Sequence, residues 1–270
     1  MKLSISTLGC PDWTFEQILD NYAALGIEGI EVRGIEGNVE PDKIPYFTEE
    51  QKEETLARVA AKGLKFIGFG TSASFHDAAK LQSNIDACKV AVDICQRMGI
   101  PAVRVFGNNC PDGEGREETL KRIGEGIREV CRYAGDKGVH INLEVHGTIN
   151  TVDTVGPIIA IASSEPSFGI LWDVQHSDKT VGDDFEEFYQ TVKPYLRHVH
   201  IKDHIRASEP PFKLVAVGEG DIPLKKIIRR LLDDGYNGYF SLEWEKKWHP
   251  ELAEPEIAFP AYVEFMKEFM

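Results

Sequence analysis

Along the whole chain, short runs of alternating or continuous apolar residues are separated by longer stretches whose apolar positions recur at helical spacing. The short runs predict strands at Leu3–Leu8, Gly29–Arg33, Leu64–Gly70, Ala102–Phe106, Val139–His146, Gly169–Asp173, His198–Lys202 and Gly238–Glu245. The amphipathic stretches predict helices at Phe15–Leu25, Glu49–Lys62, Leu81–Met98, Glu117–Lys137, Phe185–Val192, Leu224–Leu232 and Glu254–Phe269. Gly26, Gly63, Gly99, Gly138 and Gly235 stand where helices end. Strands that alternate with helices throughout predict an α/β fold, a single (β/α)8 TIM barrel spanning residues 1–270 as one domain. The Pro-rich segment Gly34–Phe47 is expected to overhang the barrel mouth. An open doubly wound sheet is the alternative, but Gly9-Cys10-Pro11-Asp12 after the first strand is not a dinucleotide fingerprint. The later Gly218-Glu219-Gly220 reads as a tight loop into a helix, with Asp221 or its neighbour as cap and Pro223 near the first helical position.

Parity within the later strands carries the chemistry. Asn142, Glu144 and His146 alternate with Ile141, Leu143 and Val145; His198, His200 and Lys202 alternate with Val199 and Ile201. Ser241, Glu243 and Glu245 alternate with Leu242 and Trp244, and Asp173 ends the apolar run Ile170-Leu171-Trp172. The outer face of a barrel must be apolar to meet its helices, so the polar set is directed inward. Glu144, Asp173, His200 and Glu243 therefore arrive one per strand near the C-terminal ends. Burying several carboxylates costs several kcal/mol each unless they are neutralised. A single divalent cation is the simplest neutraliser: an oxygen-rich set with one imidazole suits Mn²⁺ first, with Mg²⁺, Co²⁺ or Zn²⁺ as alternatives. Salt bridges to Lys202, Arg104 and Arg197 are the competing explanation.

Charge and cysteine content narrow the function classes. Thirty Lys and Arg against 44 Asp and Glu give a net charge of −14, which disfavours a phosphate backbone as partner. The five cysteines, Cys10, Cys88, Cys95, Cys110 and Cys131, are odd in number and include no CxxC pair, as expected of a reducing, cytoplasmic setting. No secretory leader or membrane span is expected, because apolar runs fall short of the ~18 residues needed to cross a bilayer. A homo-oligomer is left open.

The segments LEVHG (143–147), WDVQH (172–176), HVHIKD (198–203) and VGEGDIPLKKIIRRLLDDGYNGYFSLEWE (217–245) resemble the sugar phosphate isomerase/epimerase superfamily, the xylose isomerase-like TIM barrels. The resemblance runs through essentially the whole chain in strand order. It implies that Glu144, Asp173, His200 and Glu243 ligate one metal, with His200 preferred over His198. It implies that His176 and Arg206 touch substrate oxygens. From parity, Lys202 and His146 join them as substrate-binding candidates, while Glu31 and Arg104 are candidates for substrate hydroxyls or for ion pairs. Trp13, Phe69, Phe106, Trp172 and Trp248 are aromatic candidates to stack on a sugar face.

The chemistry implied is removal of a proton next to a carbonyl in a small sugar or related polyol, through an enediolate that the metal stabilises. Glu144 and Glu243 are the catalytic candidates, one taking the proton and the other returning it, to give epimerisation or isomerisation. Loss of a β-hydroxyl would make the enzyme a dehydratase of an inosose- or dehydroshikimate-like substrate. A sugar-binding barrel without catalysis and an endonuclease IV-like repair enzyme compete with both. The run Val145-His146-Gly147 after the fifth strand lacks the second acid of the free-ketose 3-epimerases, and only His76 precedes residue 140 among the eight histidines, against a trinuclear zinc site.

Overall fold

The computed structural model describes all 270 residues. In chain order, the first half contains β1 (Lys2–Ser6), α1 (Phe15–Ala24), β2 (Gly29–Val32), α2 (Lys52–Ala61), β3 (Lys65–Ser74), α3 (Leu81–Met98), β4 (Ala102–Phe106) and α4 (Arg116–Ala134). The second half contains β5 (His140–Glu144), α5 (Val152–Ala162), β6 (Phe168–Asp173), α6 (Val174–Val181), α7 (Glu186–Val192) and β7 (Leu196–Ile201). A hairpin, β8 (Asp203–Ile205) and β9 (Lys213–Val215), precedes α8 (Leu224–Asp233), β10 (Tyr239–Leu242) and α9 (Pro255–Met266). Eight parallel strands close in the ring order β1-β10-β7-β6-β5-β4-β3-β2, a single (β/α)8 TIM barrel. No helix is long and apolar enough to cross a membrane.

Alternation sorts the strand residues as the barrel requires. Ile141, Leu143, Val199 and Ile201 are fully buried in the hydrophobic layer that the strands share with the helices. Trp172 is buried there against Phe185, Phe188 and Tyr189, and its indole N–H donates to Ser177 Oγ at 2.8 Å. Glu144, Asn142, Asp173 and His200 are equally buried but belong to the other parity. The ladder brings them to similar height: Asp173 pairs with His200, His200 with Ser241, and Glu144 with Phe106.

Three features depart from the sequence reading. Helix α5 was hidden by Gly156-Pro157, residues that weaken a helical pattern; Thr151 and Thr154 form a capping box at its start, and the proline forfeits one backbone bond without ending the helix. Helix α6 was hidden because Gln175, His176, Ser177 and Asp178 are buried polar groups rather than an apolar stripe. The β8–β9 hairpin adds a small antiparallel sheet beyond β7. The ladder also ends before several expected strand ends, so His146, Lys202 and Glu243 stand just past their strands, where the backbone turns into the mouth.

The segment after β2 borders the mouth only at its beginning. Gly34 and Gly37 lie there beside Leu8 and Lys247, whereas Phe47 is buried against Phe66 and Phe69 in the wall. The Gly218-Glu219-Gly220 turn is organised by a side chain from another element. Asp203 accepts backbone N–H bonds from Gly218 and Gly220 at 2.9 Å each, from His204 at 2.9 Å and from Ile222 at 3.3 Å. Pro223 is the N-cap of α8 and has no capping side chain, while Asp221 instead accepts from the Arg206 backbone N–H at 2.8 Å. This replaces the capping role expected of Asp221.

Candidate metal centre at the barrel mouth

The structure brings Glu144, Asp173, His200 and Glu243 together at the C-terminal ends of the strands. One ligand atom from each lies within 4.8 Å of the others, and all four residues are buried. His200 Nδ1 is central: it stands 3.4 Å from Glu243 Oε2, 3.6 Å from Asp173 Oδ2 and 3.8 Å from Glu144 Oε1.

Glu31 sets the orientation of that imidazole. Its carboxylate meets His200 Nε2 at 2.8 Å and His198 Nε2 at 2.9 Å, and it accepts from Ser241 Oγ at 2.6 Å. Burial alone would raise the Glu31 pKa, but His200 and His198 hold it well below the usual carboxylate range. An ionised carboxylate only accepts, so both Nε2 atoms donate. Burial would lower the His200 pKa, but Glu243 and Glu31 hold it well above the usual imidazole range. A cation would therefore displace the Nδ1 proton and take the lone pair aimed at the three acids, the arrangement that metal-ligating histidines adopt. Glu31 thus lies beneath the cluster and orients His200; His198, two residues earlier on β7, reaches only Glu31.

The other carboxylates are equally constrained. Asp173 has divided duties: Oδ1 caps α6, accepting from Gln175 N at 2.9 Å and His176 N at 3.3 Å, while Oδ2 faces the cluster. Glu144 Oε2 lies 2.8 Å from Arg104 Nη1. Burial, opposed by Arg104 and reinforced by Glu243, raises the Glu144 pKa to about 7. Burial would raise Glu243 too, but His200 and Lys202 hold it far below the normal range.

Lys202 Nζ lies 2.8 Å from Asp173 Oδ2 and 2.6 Å from Glu245 Oε1, and is also paired with Glu243. Even so, His200 Nδ1 is a buried atom without a hydrogen-bond partner, and Glu144 Oε2 and Asp173 Oδ2 have only their ion-pair contacts to Arg104 and Lys202. Buried groups so incompletely paired are expensive unless something else completes them. Their number, type and spacing fit a divalent cation held by oxygens and one imidazole nitrogen.

A cavity of about 250 Å³ opens above the cluster, lined by Glu144, Glu243, Arg33, Arg104, Phe106 and Trp248 among others. A neighbouring cavity of about 730 Å³ shares His146 and Glu245 with it and includes His176. His146 and His176 face each other with ring centroids 4.0 Å apart. His146 Nδ1 lies 3.1 Å from Asn108 Oδ1, a residue that the strand pattern does not single out. Burial, reinforced by the charge of Lys202, lowers the His146 pKa to about 4, and burial also puts His176 well below its normal value, so both rings are neutral. Arg206 is placed differently. Its guanidinium is held by Asp178 at 2.6 and 2.9 Å and by Asp183 at 2.9 Å, and it lines neither mouth cavity.

Of the aromatic candidates, Phe106 and Trp248 border the mouth, whereas Trp13, Phe69 and Trp172 are buried in the core. All five cysteines are free and buried, and burial raises each thiol pKa, those of Cys10, Cys88 and Cys131 to about 12. A thiol so disfavoured as thiolate is a poor nucleophile. A separate cavity of about 470 Å³ at the opposite end of the barrel touches Glu31 and His198 but none of the four clustered residues.

The sequence matches the family described as "Xylose isomerase-like TIM barrel" over residues 19–268. The chain belongs to that family. It is 22% identical over 257 residues to fructoselysine 3-epimerase of Shigella flexneri, covering 90% of each chain. It is 24% identical over 264 residues to inosose dehydratase of Clostridium perfringens, covering 90% of this chain and 85% of the relative. Among solved structures, the IOLI protein with a bound zinc atom superposes with a TM-score of 0.79 at 20% identity, covering 100% of this chain and 99% of the other. That last likeness shows the fold. The named relatives are enzymes, and this xylose isomerase-like barrel is an enzyme of the same superfamily.

Proposed function

We propose that this barrel is a divalent-metal-dependent isomerase or epimerase of a small sugar or related polyol, acting by proton abstraction next to a carbonyl. The observation that carries the reading is the convergence of Glu144, Asp173, His200 and Glu243, buried together around a His200 Nδ1 that has no hydrogen-bond partner. These four residues would hold the ion, with Mn²⁺ expected first and Mg²⁺, Co²⁺ or Zn²⁺ as alternatives. The bound ion would supply positive charge for the oxyanion that develops on the substrate as its C–H bond breaks.

The chain's own residues would do the rest. Glu144 and Glu243 approach the mouth from strands separated on the ring by β6 and β7, so two carboxylates face the substrate from different directions. One takes the proton and the other returns it, to the same carbon or to its neighbour. Neutral His146 and His176 offer hydrogen bonds to substrate hydroxyls, and Lys202, fixed among three carboxylates, orients an oxygen beside them. Arg206, expected to bind substrate, would act there after leaving Asp178 and Asp183. The small mouth fits a sugar, and the net charge of −14 speaks against a nucleic-acid duplex.

A dehydratase reading is favoured equally by the likeness to inosose dehydratase. It differs only in the fate of the intermediate: the base acts in the same way and a β-hydroxyl leaves. Incubation of metal-loaded protein with ketoses, aldoses and inososes in D₂O, followed by NMR, separates these outcomes. Deuterium incorporation without loss of water means epimerisation or isomerisation; loss of water means a lyase. Glu144→Gln and Glu243→Gln are each expected to abolish exchange, with metal content measured in parallel. A variant that retains its metal and exchanges at the wild-type rate disproves the acid–base assignment.

A further inference from the structure

Three buried cations stand beside the metal cluster, and their partners differ. Lys202 is shared by Asp173, Glu243 and Glu245, and Arg104 is paired with Glu144. Arg33, one residue past β2, has no carboxylate within 4.0 Å. Its side-chain bond is from Nη2 to Ser72 Oγ at 2.8 Å, and its Nη1 is buried without a hydrogen-bond partner. The residue is only 7% exposed, yet it lines the cavity above the cluster together with Glu144, Glu243 and Trp248.

The fold makes room for this guanidinium. A Cβ added at Gly70 of β3 would lie 2.6 Å from Arg104 Nη2 and 3.0 Å from Arg33 Cδ, so the missing side chain lets two arginines pass side by side. Placing a second cation without an ion pair beside Arg104 is unfavourable in itself: burial and Arg104 together lower the Arg33 pKa to about 10, against the opposing pull of Glu243, Glu144 and Glu40. An arginine kept for packing would be expected to have a carboxylate partner, because an uncompensated buried charge costs several kcal/mol. A neutral hydroxyl could satisfy one N–H but would leave the guanidinium without a carboxylate in direct contact. An oxoanion satisfies both, through the planar fork that suits carboxylate and phosphate.

We propose that Arg33 receives an anionic group of the substrate, so that the enzyme acts on an acidic sugar or polyol, a carboxylate or phosphate ester, rather than on a neutral one. This rests on the metal-dependent reading above for the position of the sugar chain. Lys202 is not the receptor, because three carboxylates already surround it.

The test is calorimetric titration of Mn²⁺-loaded protein with three matched six-carbon probes: D-glucitol, D-gluconate and D-glucitol 6-phosphate. One anionic probe is expected to bind at least about tenfold more tightly than D-glucitol, and which one does so distinguishes carboxylate from phosphate. Arg33→Gln should weaken that probe by about 10- to 100-fold and leave D-glucitol unchanged, and Arg33→Lys should restore part of the difference. Circular dichroism checks that the variants are folded; if Arg33→Gln is not, the comparison of Arg33→Lys with wild type carries the test, with a loss of at least about threefold expected for the anion alone. Equal affinity for D-glucitol, an anion preference that survives in Arg33→Gln (or in Arg33→Lys if it alone folds), or no binding of any probe overturns the proposal. The D₂O exchange assay reads the catalytic proposal independently: exchange with neutral sugars and none with acidic ones would leave metal-dependent catalysis standing and Arg33 without this role.

Discussion

Glu31→Gln probes the arrangement beneath the proposed metal centre without removing any of its four candidate ligands. In the wild type one carboxylate accepts from His198 Nε2, His200 Nε2 and Ser241 Oγ at 2.9, 2.8 and 2.6 Å. A glutamine in the same place offers one acceptor oxygen and one donor nitrogen, so it cannot accept from both histidines. If the amide nitrogen faces His200, Nε2 must become the acceptor and the proton moves to Nδ1, the atom 3.4–3.8 Å from the three acids. The lone pair aimed at the cation is lost. Changes to groups that orient a ligand typically weaken metal binding by about 10- to 100-fold, or roughly 1.4–2.7 kcal/mol. With 270 residues and about 2.1 cal/mol/K of unfolding entropy per residue, 1 kcal/mol corresponds to about 2 °C in melting temperature. The stabilisation gained on adding a fixed excess of Mn²⁺ should therefore be about 2–5 °C smaller in the variant than in the wild type. Comparing each protein with and without metal removes the variant's own effect on the apo fold, and calorimetry gives Kd directly. A folded Glu31→Gln protein that binds Mn²⁺ as tightly as wild type refutes the reasoning about the tautomer of His200.

The remaining predictions are simpler. Chelation should lower the melting temperature by about 7 °C relative to protein in 1,000-fold excess of metal over Kd, with Mn²⁺ restoring it; an unchanged melting curve would speak against a bound ion. Asp178→Asn should cost about 1–2 kcal/mol at neutral pH, because the amide keeps one acceptor oxygen where the carboxylate serves His204 and Arg206 with two and loses the charge, while Arg206 retains Asp183. Burial alone would raise the Asp178 pKa, but His204 and Arg206 lower it below 3.8, so its stabilisation is complete above the unfolded value and is lost as pH falls through the folded one. The gap between wild type and variant in urea melts should accordingly narrow only below about pH 4, and a gap that narrows between pH 8 and 6 would contradict this. Trp172→Ala should destabilise the barrel by about 3–5 kcal/mol, since the ring is wholly buried and stacked 5.5 Å from Tyr189; a loss below about 1 kcal/mol in a denaturant melt would show that the site collapses freely.

Particular residues show how far the linear pattern reaches. The alternation of Asn142 and Glu144 with Ile141 and Leu143 was enough to direct the acid inward, because in a closed barrel the two parities meet different surroundings. The same parity was available for Arg33, two residues after Glu31, but its importance rests on what it lacks, and a missing partner cannot be read from spacing. Helices α5 and α6 are illegible in the pattern for opposite reasons: Gly156-Pro157 interrupts one, and buried polar side chains disguise the other.

Local chemistry along the chain determined the strands, the class of barrel and which side chains face inward, since these follow from a period of two imposed by the backbone and from the cost of exposing apolar surface. Only the tertiary structure decided the pairings: that Glu31 holds His200 rather than facing the mouth, that Lys202 lies among three carboxylates, and that Arg206 turns to Asp178. Which charge meets which depends on distances of a few ångströms between residues far apart in sequence, and those distances are set by closure of the ring.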